Sequence, residues 1–95
     1  MPALIIGQIR VIDPARFEQY RAAVPAVIAQ YGGRYLVRGG GVTALEGTHD
    51  GRRQVVIEFP SREAAERFWH SPEYAAARRL REGAAEVVAL LVPGV

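Results

Sequence analysis

The spacing of apolar residues changes along the chain, and each change marks the boundary of a predicted element. Residues 4–12 form a short apolar run that is typical of a β-strand. Asp13 and Pro14 follow, and they indicate a helix start because Asp caps a first turn and Pro suits its first position. Over residues 17–31, apolar side chains recur at the spacing of one helix face. Pro25 lies inside that pattern and predicts a kink or a division, because it cannot donate a backbone hydrogen bond.

The middle of the chain predicts two more strands with turn residues between them. Residues 34–38 are rich in Tyr, Leu and Val, and the glycines at 39–41 then interrupt the pattern as a strand bulge. We expect the same strand to resume over residues 42–46. The sequence His49-Asp50-Gly51 predicts a hairpin turn, because Asp-Gly favours positive backbone angles. Residues 53–59 return as the third strand.

Two short helices and a last strand complete the pattern. Ser61 is placed to cap the first helix, whereas Ser71 with Pro72 ends it and begins the second, so both serines are assigned to capping and not to nucleophilic chemistry. Residues 84–92 predict the final strand. The order of strand, helix, two strands, helix pair and strand is the ferredoxin-like β-α-β-β-α-β plan. We therefore predict one α+β domain over residues 1–95, with an antiparallel sheet and helices on one side.

The predicted sheet is apolar on both faces. An antiparallel sheet with one face in water shows clean alternation, yet every position from Val87 to Val92 is apolar. A chain of 95 residues has no further layer to cover the second face. A second copy of the chain would cover it, so we expect a homodimer whose sheets face each other. The polar minority on that face, Gln8, Arg10, Arg38 and Glu58, would line the cavity that the two copies enclose between them.

Composition narrows the class of protein. An apolar fraction of 49% supports a core, and the absence of cysteine excludes disulfides and thiolate metal sites and fits a reducing compartment. The first apolar run is too short to span a bilayer, so the expected location is the cytoplasm, with no membrane partner. The net charge is +2, and Arg16, Arg21, Arg62 and Arg67 each lie close to a glutamate in the sequence, so no nucleic-acid partner is expected. Neither histidine has a second ligand at a suitable spacing, and no metal site is expected.

The helix pair brings candidate chemistry to one corner. Trp69, His70 and Tyr74 are predicted to gather there as a pocket. The aromatic side chains of Tyr35, Trp69 and Tyr74 offer surfaces on which a flat organic ligand stacks, although aromatic residues at the ends of helices and strands also fill cores. His70 is a general base or a haem ligand in one interpretation, and a helix-end histidine satisfied by the backbone in the favoured one.

Glu58 interrupts the apolar run VVIEF of the third strand. A buried carboxylate needs a partner or must be protonated, and Arg38 and Arg10 are the expected partners. A structural ion pair in a dimer core is favoured over an acid that positions a substrate. The glycine-rich segment RGGGVTALEG lacks the lysine and the following helix of a phosphate loop.

Three motifs carry a resemblance to a known family. RYLVRGG in the second strand, IEFPS at the end of the third, and SPEY at a helix start occur in the expected order, and the similarity spans almost the whole chain. The chain resembles the thirteen-thirty family of domains of unknown function. The resemblance implies a ferredoxin-like protomer paired into a dimeric α+β barrel, in a superfamily that includes cofactor-free monooxygenases, lactone isomerases, haem-degrading enzymes and ligand-sensing modules. The family's recurring positions correspond to Arg38, Gly39, Gly40, Glu58, Phe59, Ser71, Tyr74 and Arg81.

These observations leave three functional hypotheses. The first is a small monooxygenase- or isomerase-like enzyme without a cofactor, in which Arg38 positions an anionic oxygen of an apolar or aromatic substrate and Glu58 acts as acid or base. The second is a ligand-binding or stress-related dimer without catalysis that uses the same cavity. The third is a purely structural dimer with a filled cavity. The predicted substrate-binding residues are Arg10, Tyr35, Trp69, His70, Ser71, Tyr74 and Arg81.

Overall fold

A four-stranded antiparallel sheet forms one layer of the protein, and three helices form the other. The computed structural model describes residues 1–95. Its strands lie in the order β2-β3-β1-β4, and β1 pairs with both β3 and β4. This arrangement confirms the predicted ferredoxin-like α+β fold. The elements are β1 (Ala3–Val11), α1 (Pro14–Gln30), β2 (Arg34–Arg38), β3 (Arg53–Phe59), α2 (Arg62–Trp69), α3 (Pro72–Leu80) and β4 (Ala85–Pro93).

Side-chain caps fix the helix starts where the sequence predicts them. The Asp13 carboxylate accepts a hydrogen bond from the backbone N–H of Arg16 at 3.2 Å. The Ser61 and Ser71 hydroxyls accept from the third residue beyond them at 3.1 and 3.0 Å. Each cap satisfies a backbone donor that has no helical partner and contributes about 1 kcal/mol. The Ser71 hydroxyl also donates to the carbonyl of Phe68 at 2.8 Å, so it links the end of α2 to the start of α3.

The helix α1 runs unbroken past Pro25, so a division at that residue does not occur. Pro25 has no N–H to donate to the carbonyl of Arg21, one turn earlier. The guanidinium of Arg38 donates to that carbonyl instead, with Nη2 3.1 Å from the oxygen. The hydrogen bond that the helix loses is therefore replaced from the sheet.

The two faces of the sheet differ in what covers them. Residues at odd positions of β1 and β3 point towards the helices, and Ile5 and Ile57 among them are buried with Ile28 of α1 and Phe68 of α2; we call this the helix face. Residues at even positions point the other way, and on this helix-free face Val88 and Leu90 of β4 are 42% and 52% exposed. The sheet thus has a second apolar surface that one chain leaves uncovered. The helix-free face comprises Leu4, Ile6, Gln8, Arg10, Arg34, Val37, Gln54, Val56, Glu58, Glu86, Val88, Leu90 and Val92.

A β-bulge in β2 changes the face on which Arg38 lies. Tyr35 pairs with Ile57 and Val37 pairs with Val56, so Leu36 is an extra residue without a partner. The bulge shifts Arg38 to the position opposite Val55, which belongs to the helix face. Regular alternation would have placed Arg38 on the helix-free face, because a bulge moves every later side chain to the other side.

The connection between β2 and β3 is a loop and not an extension of the strands. Residues 39–52 form no strand, so the predicted strand at residues 42–46 is wrong, and His49-Asp50-Gly51 lies inside the long loop that connects the paired strands β2 and β3. The predicted bulge at the glycines is also wrong. Gly39 and Gly40 adopt positive φ of 73° and 112°, which ends β2 at Arg38. The loop leaves Leu45 97% exposed.

The helices of this fold all lie against the sheet. None of them is both long enough and apolar enough to cross a lipid bilayer.

Candidate functional site

Three adjoining cavities lie between the helix face of the sheet and the helices. The largest, about 270 Å³, opens at the β4 edge, and an inner cavity of about 40 Å³ adjoins it along Ile5, Trp69 and Ala89. A third cavity, about 60 Å³, opens at the β2 edge and shares Tyr20 and Val24 with the inner one. The shared residues place the three cavities in a row across the sheet, with α2 over the β4 edge and α1 over the β2 edge, and we call this row the cleft.

The β4-edge cavity lies at the corner where the sequence predicts a pocket. The helix α2 ends at Trp69, and its apolar face places Ala65 and the indole of Trp69 along one wall, opposite Leu91 of β4. His70 and Glu66 lie at the rim. His70 is the C-cap of α2, where its backbone N–H donates to the carbonyl of Glu66 at 3.0 Å, and the residue is exposed.

Two tyrosines form the polar centre of the cleft. The hydroxyls of Tyr20 and Tyr74 lie 2.8 Å apart. Burial raises the pKa of Tyr20 far above its ordinary value of 10.0, and the neighbouring Tyr74 raises it further. Both rings are held by aromatic neighbours, since the Trp69 and Tyr74 centroids are 5.0 Å apart and those of Phe17 and Tyr20 are 5.5 Å apart. The hydroxyl of Tyr20 is therefore protonated at neutral pH and serves as a hydrogen-bond group, not as a base.

Arg81 lies beside this pair. Its guanidinium carbon is 5.3 Å from the centroid of the Tyr20 ring, within the range of a cation–π contact. Its Nε is buried and has no hydrogen-bond partner. Of the predicted site residues, Trp69 and Tyr74 thus pack against each other, and Arg81 reaches them only through Tyr20.

The β2-edge mouth is lined by arginines. Arg21, Arg38 and Arg53 surround the opening together with Tyr35. The guanidinium of Arg38 lies 4.8 Å from the centroid of the Tyr35 ring, and that of Arg53 lies 5.6 Å from the ring of Phe17. Burial raises the pKa of Tyr35, so its phenol is neutral at physiological pH. Cations resting on aromatic faces give this mouth a fixed positive charge.

Glu58 lies on the opposite face from this cleft. Its carboxylate accepts a hydrogen bond from Nε of Arg34, 2.8 Å away, and Arg34 is its cross-strand neighbour. The predicted pairing of Glu58 with Arg38 or Arg10 is therefore wrong. The bulge at Leu36 takes Arg38 to the helix face. Arg10 stays on the helix-free face but lies six residues along β1 from the neighbour of Glu58, roughly 20 Å away.

Ser71 is buried and its hydroxyl is fully used by the helix cap, as donor to Phe68 and acceptor from Tyr74. No three histidine or acidic side chains lie close enough to hold a metal ion.

The sequence interpretation missed Tyr20, Arg21 and Arg53 as cleft residues. Tyr20 belongs to the apolar stripe predicted over residues 17–31. Only its contact with Tyr74 identifies it as a cleft residue, and sequence spacing does not reveal that contact.

The fold and the cleft define an α+β protein of the ferredoxin-like class, with an apolar space between its layers. A family model for a domain of unknown function, DUF1330, matches residues 2–95, and the chain belongs to that family. No curated protein matches the sequence.

Solved structures resemble this chain in fold. A protein of unknown function from Rhodopseudomonas palustris, RPA0582, has a TM-score of 0.76 at 19% identity, covering 99% of this chain and 82% of that one. A dimeric ferredoxin-like protein of unknown function from Thermobifida fusca has a TM-score of 0.70 at 17% identity, covering 99% and 92%. SnoaB, a cofactor-independent oxygenase from Streptomyces nogalater, has a TM-score of 0.64 at 16% identity, covering 99% and 93%.

The tyrosine pair yields a test of the cleft geometry. Replacing Tyr74 with Phe leaves the Tyr20 hydroxyl without its partner, so we expect a loss of about 1–3 kcal/mol in the free energy of unfolding. The double variant Tyr20→Phe/Tyr74→Phe removes both hydroxyls, and we expect it to lose less than the two single variants combined. Urea unfolding at pH 7 measures the coupling.

The contribution of Tyr20 to the stability of the protein also depends on pH. The folded-state pKa of Tyr20 is raised, so its contribution to stability is complete below the ordinary value of 10.0 and is lost as the pH rises above it. Strictly additive single substitutions at pH 7 would show that the two hydroxyls do not interact.

Proposed function

We propose that the protein binds a small, largely apolar organic molecule with an aromatic ring in the cleft between sheet and helices. The observation that carries this proposal is the β4-edge cavity, whose volume of about 270 Å³ is lined by Ile5, Ala65, Leu91 and the indole of Trp69. Cavities that bind small molecules are mostly apolar with a few polar groups, and this cavity has two, on Glu66 and His70. A flat ring placed against Trp69 would replace water on an apolar surface.

Binding is favoured over catalysis because of where the titratable groups lie. The interior of the cleft is lined by apolar side chains and by tyrosines, of which Tyr20 is held protonated. Glu58, predicted from the sequence as the acid or base, lies on the other face beside Arg34. No carboxylate or imidazole lines the inner or the β2-edge cavity. The arrangement supports a ligand-binding module more directly than an acid–base enzyme.

One observation supports a catalytic alternative. His70 lines the same cavity as Trp69 and remains exposed, so its imidazole is accessible to a proton of a molecule stacked on the indole. In this second candidate function, His70 acts as a general base in a cofactor-independent isomerase- or monooxygenase-like reaction.

The quaternary structure that we propose is a homodimer formed through the helix-free face. Val88 and Leu90 leave apolar surface exposed on that face, and the half-buried Val56 and Ile6 continue it across the sheet. Exposed contiguous apolar surface marks interaction sites. Structural neighbours from Thermobifida fusca and Bacteroides fragilis are described as dimeric. A second copy would cover the face without closing the cleft, which lies on the opposite side of the sheet.

The ligand-binding proposal predicts quenching of the fluorescence of Trp69, the one tryptophan in the chain. We expect 2-naphthol, a neutral two-ring probe, to quench it saturably in the wild type. Ala89 lines the cavity, and Ala89→Leu would fill the space, so we expect its affinity to fall at least about tenfold. Ala76→Leu, on an exposed position of α3, is the matched control and should bind like the wild type. Equal affinities for the wild type and Ala89→Leu would contradict the assignment of this cavity.

The catalytic alternative predicts turnover that depends on His70. A panel of quinols and lactones would be incubated with the wild type and with His70→Gln. If His70 is a base, the variant should still quench with 2-naphthol but lose turnover by about 100-fold or more. Saturable binding without turnover in the wild type would reject the enzyme and retain the binding module.

The dimer predicts a mass twice that of one chain. We expect sedimentation equilibrium at micromolar concentration to report this mass for the wild type and that of a single chain for Val88→Asp, because a buried carboxylate on the apolar face is costly. Ala76→Asp places the same charge on exposed α3 and should remain dimeric. A folded wild-type monomer under these conditions would refute the proposed interface.

A further inference from the structure

We infer that the ligand of the cleft is a tapered carboxylic acid, with its aromatic ring beside Trp69 and its carboxylate at the arginine-lined β2-edge mouth. This inference rests on the proposed function, because it concerns the same cleft. It adds the chemical class of the ligand, its direction of binding and the residues that select it. Those residues are Arg21, Arg38 and Arg53.

The charge at the β2-edge mouth is not neutralised by the protein. Arg21 is 3.5 Å from Glu18, a contact between exposed side chains at i and i+3 on α1. Neither Arg38 nor Arg53 forms a salt bridge with a carboxylate. Three guanidinium groups thus face one exposed carboxylate, which is a surplus of positive charge at the end of an apolar space. Such a mouth favours a ligand that ends in an anion.

Arg38 is held in place before any ligand arrives. One of its N–H groups donates to the carbonyl of Arg21, and its guanidinium rests on the ring of Tyr35. A guanidinium carries five N–H donors in a planar fork, so donors remain for a carboxylate. Ordering the side chain in advance reduces the entropy that binding costs.

The lining behind this mouth excludes a compact inorganic anion as the preferred ligand. Val24, Val55 and Ile57 lie directly inside the arginines, so the oxygens of a phosphate ion would meet apolar walls on the inner side. A carboxylate avoids that cost because its two oxygens point outward and its carbon chain points inward. The chemistry of the site therefore fits a carboxylic acid with an apolar tail.

The shape of the cleft sets the form of the tail. The inner cavity of about 40 Å³ and the β2-edge cavity of about 60 Å³ are narrow, whereas the β4-edge cavity of about 270 Å³ has room for a ring. β2 and β4 are separated by three strand spacings, which is roughly 14 Å. With its van der Waals radii included, a phenyl ring on a chain of five carbons that ends in a carboxylate comes close to this length.

The test compares 5-phenylpentanoate with 5-phenylpentanamide, its neutral isostere, by fluorescence titration of Trp69. We expect the acid to bind about tenfold more tightly or better, since hydrogen bonds to charged groups are stronger than neutral ones. In Arg53→Met and Arg38→Met the preference for the acid should fall towards unity, because the acid loses more affinity than the amide. Arg79→Met removes an exposed arginine outside the cleft and should keep the preference.

Arg38→Met also removes the partner of the Arg21 carbonyl and could disturb α1. Pro25→Ala restores the N–H that the helix lacks at that carbonyl, so Pro25→Ala/Arg38→Met keeps the hydrogen bond and loses only the guanidinium. We expect Pro25→Ala alone to retain the preference for the acid and the double variant to lose it. Equal affinities of the acid and the amide for the wild type would overturn the inference and leave the proposed function standing. If neither compound nor 2-naphthol quenches Trp69, the proposed function itself fails.

Discussion

The hydrogen bond from Arg38 to the carbonyl of Arg21 joins the sheet to the long helix at the point where Pro25 leaves that helix without a donor. The contact is exposed, so the guanidinium takes the place of water at this carbonyl and fixes the end of β2 against α1. The contact requires Arg38 on the helix face. The bulge at Leu36 provides this, because it shifts the register of β2 by one residue before Arg38 is reached. One extra residue therefore determines which side of the sheet carries a fixed positive charge.

The bulge separates the polar chemistry of the sheet into two sets. On the helix-free face, Glu58 and Arg34 form a cross-strand pair among apolar residues. On the helix face, arginines and tyrosines surround the apolar cleft. In a regular strand Arg38 would leave the helix face and lie on the same surface as Glu58 and Arg34. Their separation gives each face a distinct role, with the helix-free face proposed as the dimer contact and the helix face as the ligand site.

The parts of the fold that were predicted correctly depend on local chemistry. Asp13, Ser61 and Ser71 cap helices because a side-chain oxygen binds the free N–H groups of the adjoining first turn, without help from distant residues. Strand β3 matches its predicted bounds because turn residues border its apolar run. The bulge was not predicted, because Leu36 is an ordinary strand residue. The glycines that follow gave the stronger signal for a bulge, yet their positive φ angles begin a loop. The wrong pairing of Glu58 with Arg38 has a different cause, because the register of the sheet places Arg34 opposite Glu58 and leaves Arg38 four residues further along β2.

Part of the candidate site was predicted because it, too, depends on local chemistry. Trp69, His70 and Tyr74 are close in sequence and lie at one corner, so helix caps alone place them together. Tyr20 and the arginines of the β2-edge mouth come from three separate elements, and only the register of the sheet brings them to one opening.

The central claim is that the site lies between the sheet and the helices and not on the helix-free face. A crystal structure of the protein with 5-(4-bromophenyl)pentanoate tests it most directly, because bromine is located by its anomalous scattering. The account predicts a bromine peak beside Trp69 on the helix face, with the carboxylate at Arg38. A peak on the helix-free face, next to Glu58 and Arg34, would contradict it.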